Sequence, residues 1–141
     1  MNDLRLPMEI TIVDLPKFSD YRGNLTVAEA NAEVPFDIKR AYWVYDVPAG
    51  ESRGGHAHKH LRQLLIAMSG SIHVTIDNGY ERKTVLLDNP GKGLLVNTDI
   101  WCTLADFSSD AVCLVLASEH FEEEDYICDY DEFLNYIGCS K

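Results

Sequence analysis

Two histidines separated by one residue, His56 and His58, are the side chains of this sequence best suited by type and spacing to do chemistry. They stand within residues 50–70, GESRGGHAHKHLRQLLIAMSG. In an extended strand, positions i and i+2 share a face, so both imidazoles project the same way. Arg53, Lys59, His60, Arg62 and Gln63 lie close by along the chain. Two ring nitrogens on the wall of a β-structure suit either a metal site or proton transfer, since imidazole both ligates metals and titrates near pH 7.

The elements that must hold this pair are short strands. Segments 9–14, 23–29 and 39–47 read as strands, the last (KRAYWVYDV) rich in aromatic and β-branched residues and closed by Pro48-Ala49-Gly50. The histidine stretch follows, then 63–68 and 71–77, where Ile72, Val74 and Ile76 alternate with polar residues. Asn78-Gly79 signals a hairpin returning through 82–87. Asn89-Pro90-Gly91 turns into 93–97, and 100–104 and 111–117 complete the set. Many short strands broken by turns predict an all-β sandwich or barrel. Residues 130–137 alone show helical spacing, with Tyr130, Phe133, Leu134 and Ile137 on one side, and predict a short helix at the barrel end.

Composition narrows the function classes. The chain has 141 residues, one domain's worth, with 46% hydrophobic residues. Its net charge of −11 argues against nucleic acid or an anionic membrane as partner. The basic residues near the histidines nevertheless fit one small anionic ligand. No apolar run is long enough to span a bilayer and no signal-like apolar stretch opens the chain, so a cytoplasmic protein is expected. The four cysteines lack CxxC spacing, and reduced thiols are expected.

The central stretch resembles the first cupin motif, G-x5-H-x-H-x4-E-x6-G. Gly50, His56, His58 and Gly70 match, with Gln63 in place of the glutamate. Of the second motif only Gly91 is kept, and Cys102 stands where metallocupins carry their third histidine. Two imidazoles, a neutral amide and a thiol make a poor site for a divalent ion, so neither a metal nor a cofactor is expected.

A narrower resemblance rests on Arg22-Gly23-Asn24-Leu25, Lys39-Arg40, Tyr45-Asp46-Val47-Pro48-Ala49-Gly50, Arg53-Gly54-Gly55-His56-Ala57-His58-Lys59, Ile100-Trp101 and the terminal Asp125-Tyr126-Ile127. Over about residues 20–137 the chain is similar to the sugar 3,4-ketoisomerases that act on dTDP-4-keto-6-deoxyglucose and feed amino-sugar biosynthesis. The resemblance implies a metal-free cupin jelly roll, a homodimer with exchanged N-terminal strands (about residues 9–29 here) and a bound dTDP-linked 4-keto-6-deoxyhexose. It implies His58 as base and His56 as its partner. A tyrosine of the preceding strand would serve as relay; Tyr42 and Tyr45 have opposite parity, and the reading leans to Tyr45. Arg53 and Arg22, with Arg40 and Lys59, are candidates for the diphosphate, Gln63 for a histidine or a sugar hydroxyl, and Trp101 for stacking on a base. Cys102 and Cys128 depart from the family pattern, in which histidine and arginine are expected.

Plainer roles compete. Arg22 could pair with a nearby acid, Trp43 and Trp101 could be core aromatics, and His60, His73 and His120 read as structural. The acids of 119–132 read as a solvated face. A 3,5-epimerase of a similar substrate and a non-catalytic nucleotide-sugar-binding cupin are the competing functions.

Overall fold

Alternation at period two decides where each strand puts its side chains. In the computed structural model, which describes residues 8–139, β7 (Ile72–Asp77) buries Ile72, Val74 and Ile76 to 3% exposure or less. Residues 1–7, part of the stretch read for an export signal, lie outside the described residues. The remaining strands are β1 (Thr11–Asp14), β2 (Lys17–Asp20), β3 (Gly23–Thr26), β4 (Arg40–Tyr45), β5 (Arg53–His58), β6 (Gln63–Ser69), β8 (Arg82–Leu87), β9 (Lys92–Val96), β10 (Trp101–Ala105), β11 (Val112–Ala117) and β12 (Tyr126–Ile127). Helix α1 spans Tyr130–Cys139.

Two five-stranded sheets face each other, in the orders β1-β9-β6-β11-β4 and β12-β5-β10-β7-β8, and every pairing between these strands is antiparallel. This is the expected all-β cupin jelly roll with a short C-terminal helix. The main core lies between the sheets: Leu65, Leu94, Cys113 and Val115 from one meet Ile72, Val74, Cys102 and Leu104 from the other. Outside the first sheet, Val34 and Phe36 cover Leu64, Ile66 and Leu116. Outside the second, α1 lays Phe133 and Ile137 on Ala57 and Ile127.

Three details differ from the pattern read in the sequence. Residues 17–20 form β2, which pairs with β3 as a separate hairpin. That hairpin leaves Phe18, Tyr21 and Leu25 at 63%, 96% and 58% exposure. The Asn78-Gly79 hairpin is present but carries a loop of residues 78–81, in which Asn78 Oδ1 accepts from the amides of Tyr80 and Glu81. β12 is too short for any periodicity to show in the sequence.

Phe133 is fully buried between α1 and the second sheet, so truncating it leaves a void that the strands cannot close. Phe133→Ala is expected to destabilise the fold by about 3–5 kcal/mol. A urea midpoint that stays within error of the parent would show that α1 is not packed as described.

Candidate active site

β5 divides its work between two faces. Ala57 points outward into the α1 cluster, which leaves His56 and His58 turned toward the space between the sheets. The two glycines before them set this register. Gly54 and Gly55 have φ of 86° and 75°, the left-handed region that glycine enters without steric cost. A Cβ on Gly54 would stand 2.9 Å from the carbonyl oxygen of Cys102, beside the irregularity where β5 slips against β10. The doubled glycine thus lets the strand bend closely past β10 before it delivers its histidines.

The imidazoles stand edge to face with ring centroids 4.9 Å apart. Of the two, His58 is the more deeply buried. His58 is 4% exposed, and its Nε2 is buried without a hydrogen-bond partner. Burial, then the neighbouring His56, pushes its pKa down to about 4, against the opposing pull of Asp125. Burial likewise lowers the pKa of His56. Both rings are therefore neutral near pH 7.

His56 lines a small cavity of about 90 Å³ with Tyr42, Val44, Arg53, Gln63, Cys102 and Leu104 among its walls. Tyr42, Val44 and Arg53 also border a groove of about 470 Å³ along residues 42–53. Inside, Gln63 Nε2 donates to the Tyr42 hydroxyl oxygen at 2.7 Å. Burial, chiefly, raises the Tyr42 pKa to about 12, so the phenol keeps its proton, and its oxygen already accepts from Gln63. The Tyr42 O–H is consequently free to donate into the cavity. Burial also raises the Cys102 thiol to about 12, which leaves it a protonated, inert wall rather than a thiolate. Among the described residues, no group of three His, Cys, Asp or Glu side chains is arranged to hold a metal ion.

A second chain segment closes the other side. Tyr126 pairs with His58 across β12 and β5, and its ring centroid lies 4.4 Å from that of His58 and 5.0 Å from that of His56. Arg40 Nη2 donates to the Tyr126 hydroxyl at 3.3 Å, and its guanidinium sits over the Tyr42 and Phe121 rings. What ties this segment down is Asp125. Its carboxylate is 7% exposed and accepts from the amides of His60 at 2.7 Å and Leu61 at 3.2 Å, and from His60 Nδ1 at 2.9 Å.

The family can now be compared. A model of the FdtA family (WxcM-like, C-terminal) matches residues 8–138. A TDP-4-oxo-6-deoxy-α-D-glucose 3,4-oxoisomerase of Aneurinibacillus thermoaerophilus is 44% identical, over 93% of this chain and 94% of that protein. The chain belongs to the FdtA-like sugar 3,4-ketoisomerase family. Solved structures agree. A 3,4-ketoisomerase from Helicobacter canadensis superposes with a TM-score of 0.90 at 40% identity, covering 93% of this chain and 98% of that one. The ketoisomerase QdtA of Thermoanaerobacterium thermosaccharolyticum, solved in complex with TDP, gives 0.92 at 34% identity, covering 96% and 98%.

Within this family member, the structure brings together His56, His58, Arg53, Arg40 and Gln63 and separates the rest. Not Tyr45 but Tyr42 lines the small cavity, and Tyr45 is 58% exposed along the outer groove. Trp101, the candidate for stacking on a base, packs in the α1 cluster. It alternates with the inward Cys102 and stands against Tyr130 and Phe133 at 5.3 and 5.7 Å. Arg22 is not brought to the histidines of its own chain; it pairs with Asp20 at 2.6 Å on the exposed hairpin. Lys59 lies past the end of β5, over the Tyr136 ring and beside a separate cavity lined also by Lys39 and His120. Sequence reasoning missed the roles of Tyr126 and Asp125. Their signals were the family-like Asp125-Tyr126-Ile127 and its buried-type pair closing a run of acids, and neither pointed to the histidines.

The low pKa of His58 has a consequence for stability. Its folded-state value of about 4 lies below the value near 6.5 of an unfolded chain, so between these the unfolded state binds more protons. Stability is expected to fall as pH drops from about 6.5 to about 4, by about 3 kcal/mol for this group. Urea unfolding across that range should show a shallower slope for His58→Asn than for the parent; parallel slopes would contradict a buried neutral His58.

Proposed function

We propose that this enzyme moves a carbonyl between C4 and C3 of a dTDP-linked 4-keto-6-deoxyhexose through an enediol, as a step of deoxy- or amino-sugar biosynthesis. The observation that carries the mechanism is a cavity lined by His56 and a protonated Tyr42 with its O–H uncommitted, with the buried, neutral His58 ring 4.9 Å behind His56. The keto sugar enters the cavity between Tyr42, His56 and Gln63, and the nucleotide lies out along the groove of residues 42–53, where Arg53 at the junction meets the diphosphate.

In this reading His58 takes the proton from C3, the C3–H electrons form the C3–C4 double bond, and the carbonyl oxygen at C4 gains a proton from Tyr42. The Tyr42 phenolate then takes the proton from O3, whose O–H electrons form the new carbonyl at C3, while the C3–C4 double bond takes up a proton at C4 from the His58 imidazolium, which restores both side chains. His56 hands protons between His58 and the cavity. A neutral imidazole can accept a proton directly, and a neutral phenol can stabilise the developing oxyanion without bringing a charge into a dry site. No step calls on a metal ion, a cofactor or nucleic acid. A nucleotide-sugar substrate agrees with a cytoplasmic site of action, and no helix among the described residues is long and apolar enough to cross a membrane.

The enzyme acts as a homodimer in which the β2–β3 hairpin is exchanged. Support comes from its exposed Phe18, Tyr21 and Leu25, and from the edge of β4, which no strand among the described residues covers and which carries exposed Trp43 and Tyr45. β1 pairs with β9 of its own chain, so exchange would involve 17–26 rather than all of 9–29. Exchange would also carry Arg22 to the other copy. Phe18→Asp with Leu25→Asp is expected to halve the mass seen by light scattering; an unchanged mass would place the dimer contact elsewhere.

Proton NMR with dTDP-4-keto-6-deoxyglucose in deuterated water tests the reaction. The C3 proton signal is expected to vanish as a 3-keto product forms, and His58→Asn is expected to slow this by about 100- to 10,000-fold while nucleotide-sugar binding survives. Exchange at C3 and C5 without carbonyl migration would instead establish an epimerase. Binding with no exchange would establish a non-catalytic module.

A further inference from the structure

Tyr126 has no part in the proton transfers described above, yet its ring touches both groups that carry them. It sits directly opposite His58 in the β5–β12 pairing, with centroids 4.4 Å apart and the planes at 78°. The same ring lies 5.0 Å from His56 at 59°. An edge-on aromatic contact of this kind fixes a ring's orientation and occupies the space that water would otherwise fill. Tyr126 also touches Phe121 at 5.4 Å, and Phe121 is 62% exposed, so the run of rings leads from His58 through Tyr126 to an exposed side chain.

Tyr126 is also held more firmly than a two-residue strand at a sheet edge would suggest. Asp125, the residue before it, is fixed by three donors from the turn after β5, and its carbonyl accepts from the Lys59 amide at 3.1 Å. Ile127, the residue after it, is 1% exposed in the α1 cluster. Anchored on both sides, the Tyr126 ring has little freedom to leave the histidines.

We propose that Tyr126 is a positioning residue of the ketoisomerase: its ring clamps His58 and His56 in their mutual orientation and seals them from water, and its hydroxyl restrains Arg40 beside them. The charged and titratable groups that act on His58 are His56 of its own strand, Arg40 of β4, and Asp125 and Tyr126 at β12, while Tyr42 of β4 and Cys102 of β10 line the cavity beside His56. Helix α1 packs on the opposite face of β5, through Ala57. None of these except Tyr126 lays a ring across both imidazoles. The catalytic part of this inference rests on the ketoisomerase reading, whereas the clamp itself does not.

The test is therefore read first without substrate. The His58 ring protons are followed by NMR against pH in the parent, in Tyr126→Phe and in Tyr126→Leu. Removing the ring in Tyr126→Leu is expected to admit water and raise the His58 midpoint by about one to two units toward the free value near 6.5. Keeping the ring in Tyr126→Phe is expected to leave that midpoint in place. In the turnover assay, the acid limb of kcat/KM should move upward with the His58 midpoint in Tyr126→Leu, and kcat should fall about tenfold or more. An unmoved midpoint in folded Tyr126→Leu protein overturns the clamp. Equal losses of turnover in both variants with no shift in either would make the hydroxyl a reacting group and overturn it too. Should Tyr126→Leu fail to fold, nuclear Overhauser contacts between the Tyr126 and His58 rings in the parent decide, and their absence overturns the proposal. A parent protein without isomerase activity, but with the expected titration shifts, would refute the function and leave the clamp standing.

Discussion

The arrangement depends on keeping two imidazoles dry without neutralising them by a permanent ion pair. A desolvated histidine surrendered to a carboxylate would become a charged, structural residue. His58 escapes that fate. Asp125 lies near enough to oppose its pKa shift, but its carboxylate is already occupied by two backbone amides and His60. One acid thus anchors the closing segment without capturing the neighbouring base.

The jelly roll supplies the dryness through the two faces of β5. Its outward face is spent on Ala57, a side chain small enough for α1 to approach, and Phe133 fills the space above it. Its inward face carries the histidines into the gap between the sheets, where Tyr42 and Gln63 of the facing sheet meet them. The bend at Gly54 and Gly55, pressed against the Cys102 carbonyl, links the two. A chain with a side chain at Gly54 could not follow that path beside β10.

The two usual metal-binding positions of a cupin that differ here, Gln63 and Cys102, both line the small cavity. The Gln63 amide donates to Tyr42 and thereby orients the phenol. Cys102 is a buried thiol held neutral by its apolar surroundings, packed with Cys113 and Leu104 in the core between the sheets. Gln63 puts a neutral amide where a carboxylate is usual and the Cys102 thiol is neutral too, which is consistent with a site that moves protons between carbon and oxygen.

Much of this was legible in the sequence, because it depends on spacing. The strand order of turns, the shared face of His56 and His58, the helix near 130–137 and the cupin frame are all properties of short stretches, and local periodicity determines them. The sequence also limited the inward tyrosine to one of two. It could not choose between Tyr42 and Tyr45, because the sense in which a strand faces its partner is set by pairing, here Tyr42 opposite Val115 of β11. The same ambiguity left Trp101 open between stacking on a ligand and packing in the core, and the pairing of β10 turns Cys102 rather than Trp101 inward. Tertiary structure alone decided that Asp125, some 65 residues from His60, would hold Tyr126 over the histidines. Contacts of that range leave no period in a sequence, since they arise only when distant strands meet and a buried carboxylate finds the donors it needs.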